Sequence, residues 1–242
     1  MKFLLTTVTL FVALVATAQT KTYNDPNAKT RTLSGSFTKI SVSSGVELYL
    51  TQGDEEAVAV SISDNKNEDR FITEIVNGTL KIYYKNEGLK WTSEDRKRKL
   101  KAYVSFKKLE GLTCSAGSST KLTNTLNATN LSLNFSSGCV FSGEINAAEV
   151  TSTVSSGAEA KISGKAGKLN VNASSGANFK GAGLVASYCT ASANSGGAVS
   201  IEVQKELNAS ANSGGEVRYS GAATVTKGSV NSGGSVRQSS SK

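Results

Sequence analysis

The chain has no histidine, one proline, one tryptophan and three cysteines in 242 residues. Without an imidazole there can be no Ser-His-Asp triad, no Cys-His dyad and no histidine metal ligand. Aromatics make up 7% and hydrophobic residues 38%, which is thin for a compact core. The hydrophobic content is still too high, and the charge too balanced, for a wholly disordered chain. Long apolar runs are scarce. Residues 3–15 form the one clear run, after Met1-Lys2 and before Ala16-Thr17-Ala18. A short positive start, an apolar run and a small-x-small site make the pattern of a secretory signal peptide, with cleavage expected between Ala18 and Gln19. A spanning helix needs roughly 20 apolar residues, more than this run supplies. Residues 1–18 therefore read as a removed leader, with no membrane span and no lipid-attachment cysteine after it. The mature chain is expected in the periplasm, on the outer surface or in the medium.

The net charge is +8, and loss of Lys2 makes it +7. The one dense basic run is Arg96-Lys97-Arg98-Lys99-Leu100-Lys101, near Trp91. An exported protein meets little nucleic acid, and a phosphate-binding surface needs several such contacts, so no nucleic-acid partner is expected. A solvated loop is the plain reading; an acidic polysaccharide or lipopolysaccharide fits the same electrostatics better than nucleic acid.

Glycine, by contrast, is plentiful, and it is periodic. A small polar pair followed by Gly recurs as Ser115-Ala116-Gly117, Ser136-Ser137-Gly138, Ser155-Ser156-Gly157 and Ser174-Ser175-Gly176, then as Asn194-Ser195-Gly196, Asn212-Ser213-Gly214 and Asn231-Ser232-Gly233. The intervals between these glycines are 21, 19, 19, 20, 18 and 19. Three positions before the Gly stand Cys114, Phe135, Val154, Ala173, Ala193, Ala211 and Val230; three after stand Thr120, Phe141, Ala160, Phe179, Val199, Val217 and Val236. The positions five and seven before it are largely apolar too, ending in Gly228 and Thr226 in the last copy. Even positions are polar. This alternation predicts strands with one buried face, and no helical stripe competes with it. One coil of about nineteen residues cannot bury its own apolar face, but stacked coils can, with parallel strands ~4.8 Å apart. The predicted fold is all-β: a single-domain parallel β-helix with irregular N-terminal coils and regular C-terminal rungs. Gly supplies the positive φ of each corner.

Cys114, Cys139 and Cys189 all fall at odd, inward positions. Cys114 and Cys139 lie on neighbouring rungs but four positions apart in phase, which places their Cα atoms beyond the ~7 Å disulfide limit. Three buried free thiols and no disulfide are expected.

The first half is less regular. Residues 19–34 read as a loose polar lead-in, residues 35–111 as irregular coils capping the stack, residues 112–238 as the repeats and 239–242 as a tail. Val46-Glu47-Leu48-Tyr49-Leu50-Thr51-Gln52-Gly53, the run from Asp64-Asn65 to Ile75, Asn77-Gly78-Thr79-Leu80-Lys81-Ile82 and Gly233-Gly234-Ser235-Val236 stand in an order that resembles the "putative auto-transporter adhesin, head GIN domain" family over residues 35–238. The resemblance implies a right-handed parallel β-helix and, by analogy, adhesion. No run of alternating ~10-residue strands follows, as a translocator barrel would require.

Catalytic and cofactor chemistry is not expected. Glu159 and Glu216 share the position two after the Gly, but three rungs apart, roughly 14 Å at strand spacing; that exceeds either glycosidase separation. Asp54-Glu55-Glu56 and Asp64-Asn65-Lys66-Asn67-Glu68-Asp69 lack the Gly and bidentate Glu of a calcium loop. What remains is a surface. Thr151, Thr153, Asn170, Asn172, Thr190, Ser192, Asn208 and Ser210 should form a flat uncharged array on one side of the stack. Such an array serves either as a solvated sheet face or as a row of hydroxyls and amides for a repetitive ligand. The expected function is a non-catalytic envelope module that recognises a glycan or a cell-surface protein; the alternatives are a polysaccharide-processing enzyme and a purely structural envelope protein.

Overall fold

The computed structural model describes residues 23–63, 65–85 and 98–239. The expected leader, its Ala18–Gln19 cleavage point, Trp91 and part of the basic run lie outside the described residues. In chain order the strands are β1 (Lys29–Arg31), β2 (Lys39–Val42), β3 (Glu47–Gln52), β4 (Ala57–Ile62), β5 (Phe71–Val76), β6 (Thr79–Tyr84), β7 (Leu100–Phe106), β8 (Gly111–Cys114) and β9 (Ser119–Leu122). They continue as β10 (Leu126–Phe135), β11 (Val140–Val154), β12 (Glu159–Ser174), β13 (Asn178–Asn194), β14 (Ala198–Asn212), β15 (Glu216–Ser220), β16 (Thr224–Asn231) and β17 (Ser235–Gln238). A 3-10 turn over Asn65–Arg70 is the one helical element among the described residues. All seventeen strands join one hydrogen-bonded sheet, wound as a β-solenoid of about 7 turns with rungs of about 19 residues.

The repeat marks the corners. At each one the residue before the Gly and the Gly itself both take positive φ, as at Ser137 (53°) and Gly138 (70°). The next residue's N–H then bonds the carbonyl three back, as Cys139 N to Ser136 O at 3.1 Å. Positive φ at both central positions with a closing bond of this kind is a type I′ turn. The corners also bond to one another: Gly138 N donates to Ser156 O, Gly157 N to Ser175 O and Gly176 N to Ser195 O, each at 3.1 Å. The interstrand ladder thus continues through the bend at the glycine amide.

Ser43-Ser44-Gly45 is an eighth corner in phase with the others, with φ of 67° and 73° at Ser44 and Gly45. It escapes the nineteen-residue count because 72 residues separate it from its neighbour, as in the bond from Val46 N to Ser118 Oγ. The intervening chain is the cap, and it is not laid down in stacking order. β2 and β3 pair in parallel with β6 and β7 on one side and with β8 and β9 on the other. β6 and β7 are in turn covered by antiparallel β5 and β4, and β1 lies antiparallel on β4. From Tyr23 onward the lead-in is docked on the cap. Tyr23 stacks on Tyr103 at 4.8 Å, Asp25 accepts the Tyr103 hydroxyl at 2.9 Å, and Glu68 pairs with Lys29 and, at 3.4 Å, with Arg31.

The core runs along the axis. Phe135, Phe141 and Phe179 are almost fully enclosed, and the Phe135 and Phe141 rings stack at 4.8 Å. Four polar side chains are buried among the described residues: Ser118 Oγ accepts the Val46 amide and Ser105 Oγ donates to Glu55 O, whereas the Ser152 and Thr120 hydroxyls have no partner.

Two expectations about the interior need correction. Cys114 and Cys139 form a disulfide, with Cα atoms 5.9 Å apart; Cys189 alone is a buried free thiol. The phase argument measured four residues along an extended strand, whereas the tight corner folds those positions onto each other. Position −3 of one rung faces position +1 of the next across the bend. Further along, the same pairing closes to backbone contact: a Cβ on Gly215 would lie 2.1 Å from Ala193 O, which is why the last three corners carry a second Gly. The second correction concerns the last rung. A bulge in β16 places Lys227 opposite Ala209 and Val230 opposite Ala211. Thr226 therefore pairs with outward Asn208, and both Thr226 and Gly228 are exposed rather than interior. Val230, expected inside, is 37% exposed, and no further rung covers it among the described residues.

Candidate functional site

Two outward rows flank the buried positions leading into each corner. One runs Ser132, Thr151, Asn170, Thr190, Asn208 and Thr226; the other runs Asn134, Thr153, Asn172, Ser192 and Ser210. The parallel register places each member against its counterpart one rung away, so the eight expected residues do form one array. Thr151, Thr153, Asn170, Asn172, Thr190 and Asn208 are exposed; Ser192 and Ser210 are half-buried. Strand pairing alone spaces these groups, because neighbouring strands lie ~4.8 Å apart.

Tyr188 is the residue that a search for uncharged rows misses. It occupies the next outward row, Asn130, Glu149, Lys168, Tyr188, Glu206, and is 40% exposed. An aromatic at an outward position of an otherwise aromatic-poor repeat is the signal that could have found it. Its ring borders a shallow trough of about 500 Å³ shared with Thr151, Asn170, Thr190, Glu206 and Asn208. Lys205 Nζ stands 5.3 Å from the ring centroid, and Lys168 neutralises Glu149 at 3.0 Å. Cys189 contributes to the lining from beneath, but burial pushes its thiol up to about 12, so it stays protonated and inert at neutral pH. An amphipathic ring beside rows of hydroxyl and amide groups can pack the apolar face of a polar ligand while the rows exchange hydrogen bonds with its edge.

Carboxylates are dispersed. Glu159 and Glu216 stand three rungs apart through Asn178 and Ala198, and each is paired, with Lys180 at 2.7 Å and with Arg218 at 2.9 Å. The Lys29 hydrogen bond holds the Glu68 carboxyl below its ordinary value, so this acid fastens the lead-in. Among the described residues no group of three acid or sulfur side chains is placed to hold a metal ion. From the basic run, Arg98 lies 4.1 Å above the Tyr84 ring, a packing role within the cap. No helix among the described residues is long and apolar enough to cross a membrane.

The polar-faced stack with its N-terminal cap defines the chain as a capped β-solenoid. Residues 36–223 match the family described as "Putative auto-transporter adhesin, head GIN domain", and the chain belongs to it. Several solved structures share the fold, among them the following. A putative adhesin from Bacteroides fragilis superposes with a TM-score of 0.76 at 15% identity, covering 88% of this chain and 98% of its own. A putative adhesin from Parabacteroides merdae gives 0.69 at 14% identity, covering 89% and 98%. A protein from Parabacteroides distasonis described as a putative lipid binding protein gives 0.63 at 19% identity, covering 89% and 98%. At such identities the likeness is one of fold. No curated protein matches the chain.

Proposed function

We propose that the protein is an exported, non-catalytic module that recognises a surface glycan through its polar face. The observation that carries this reading is Tyr188, exposed beside a trough and flanked by in-register rows that include Thr151, Asn170, Thr190 and Asn208. A solvated sheet needs hydroxyls and amides for solubility, but it does not need an aromatic ring beside a concavity. Export rests on the leader pattern of residues 1–18 and on the Cys114–Cys139 bridge, since disulfides persist in oxidising compartments. Family membership supports an adhesin-like role at the envelope.

The test is a glycan array probed with the mature chain, followed by titration of the strongest hit. Tyr188→Ala should weaken binding about tenfold or more, as truncation of an aromatic anchor does, without shifting the melting temperature. Absence of any glycan hit would count against the reading and favour a structural role. Release of shortened sugar products would favour the enzyme.

A further inference from the structure

We propose that a second face of the solenoid, on the other side of the corners, is a track for an extended acidic polysaccharide. The row four residues after each corner glycine runs, in register, Tyr49, Lys121, Ser142, Lys161, Lys180, Ser200, Arg218 and Arg237, and Tyr103 of β7 extends it beyond Tyr49. Five cations thus share one outward row, all of them exposed. Parallel pairing stacks these positions ~4.8 Å apart; Ser142 and Ser200 separate the cations, and Lys180 and Arg218 are paired with Glu159 and Glu216, so Lys121, Lys161 and Arg237 carry the row's unneutralised charge.

The row borders a concavity. Lys121, Lys161 and Lys180 line one side of a trough of about 550 Å³, with Leu122, Gly143 and Ile162 at its base. Gly143 makes room for it: a Cβ there would come within 2.5 Å of the Leu122 side chain. Among the lining residues Glu144 is the single acid, against three lysines. Lys180 is engaged by Glu159 at 2.7 Å, whereas Lys121 and Lys161 have no carboxylate partner among the described residues. An apolar base beside unneutralised cations matches a sugar ring bearing an acidic group, with the C–H face below and the charge toward the ammonium groups. The regular row matches a polymer of such sugars, which releases counterions as it binds.

The same row argues against single-stranded nucleic acid. Its aromatics, Tyr49 and Tyr103, stack on each other at 5.2 Å, and Tyr23 covers the other face of Tyr103 at 4.8 Å. Their ring faces are largely occupied, and sequence-tolerant strand binding relies on open ones. This site is separate from the Tyr188 face and stands or falls independently of it.

The experiment is calorimetric titration of the mature chain with polygalacturonate, dextran sulfate, neutral dextran and a single-stranded oligonucleotide, across a salt series. Binding of one or both acidic polysaccharides and not of dextran is expected, with affinity falling as salt rises. Lys121→Gln/Lys161→Gln should reduce that affinity about tenfold and flatten the slope of log K against log salt by roughly one to two. Glu144→Gln, which removes the one acid of the trough lining, should tighten it. Both lysine side chains are exposed, so the double variant should keep the parent melting temperature. Equal binding of dextran, an unchanged affinity in the double variant, or oligonucleotide binding as tight as that of the polysaccharides would overturn the proposal.

Discussion

The cap and the stack use one turn for two purposes. In the cap, Asn77-Gly78 takes φ of 50° and 69° and joins β5 to β6 as an antiparallel hairpin. In the stack, Ser-Gly pairs with nearly the same angles form corners whose flanking strands pair with other rungs instead of with each other. The turn does not choose its partner; the surroundings do. The cap flanks its turn with large side chains such as Phe71, Ile82 and Tyr84, enough to close a hairpin on itself. The stack flanks its turns mostly with Val, Ala and Gly, with Phe135, Phe141 and Phe179 between them, and these side chains are covered only when another rung arrives.

The largest test of this contrast lies in glycine. Gly215→Val should cost roughly 3 kcal/mol or more, because the new side chain meets a backbone carbonyl that cannot yield. Gly78→Ala, which meets nothing within 4 Å, should cost only about 1 kcal/mol of φ strain. Urea melts of the two variants decide it; equal losses would mean that stack and cap tolerate crowding alike.

Next comes the bridge at the junction of cap-proximal and regular rungs. Cys114→Ala/Cys139→Ala opens a crosslink between residues 25 apart, a loss of about 2–4 kcal/mol. Cys189→Ala removes only a small buried sulfur and should lose less, about 1 kcal/mol. Comparable melting temperatures for the two variants would deny the bridge a stabilising role.

In the core of the stack, Ser152→Ala should stabilise by about 1 kcal/mol, since it removes a buried hydroxyl without a partner. A loss on denaturant titration would show that the hydroxyl is satisfied after all.

The smallest effect belongs to the cap's outer layer. Burial disfavours the Asp25 carboxylate, but hydrogen bonds from the Tyr103 hydroxyl and the Asn27 amide outweigh it, and its pKa falls. Burial, then the bond to Asp25, raises that of Tyr103. A lowered carboxyl stabilises the fold above its ordinary value near ~4 and loses that contribution as pH falls; a raised phenol stabilises below ~10 and loses it as pH rises. Protection of the lead-in against proteolysis should therefore hold across neutral pH and weaken at both extremes. Asp25→Asn should weaken the acid limb of that profile and leave the part that Glu68 contributes through Lys29 and Arg31.

Much of the stack was legible because a solenoid converts sequence period into spatial neighbours. Phe135, Phe141 and Phe179 could be placed inside, and Thr151 and Asn170 in one outward row, by counting from the nearest glycine. The eighth corner at Gly45 was not legible by period, since 72 residues of cap intervene and local spacing carries no record of an insertion. Tyr188 was missed for another reason: its row mixes Glu, Lys and Tyr, and only the trough beside it distinguishes a contact residue from a solvated one.

By itself, the sequence determined the all-β class, the coil length and the inward and outward sides, because a two-residue alternation and a repeated turn are local properties of the chain. The tertiary structure alone decided what meets across a corner: Cys114 with Cys139, Gly215 with Ala193, and the cap strands on both sides of β2 and β3. These contacts depend on how sharply the backbone bends and on which coil is laid down next, and neither quantity is encoded in the spacing of residues along one strand.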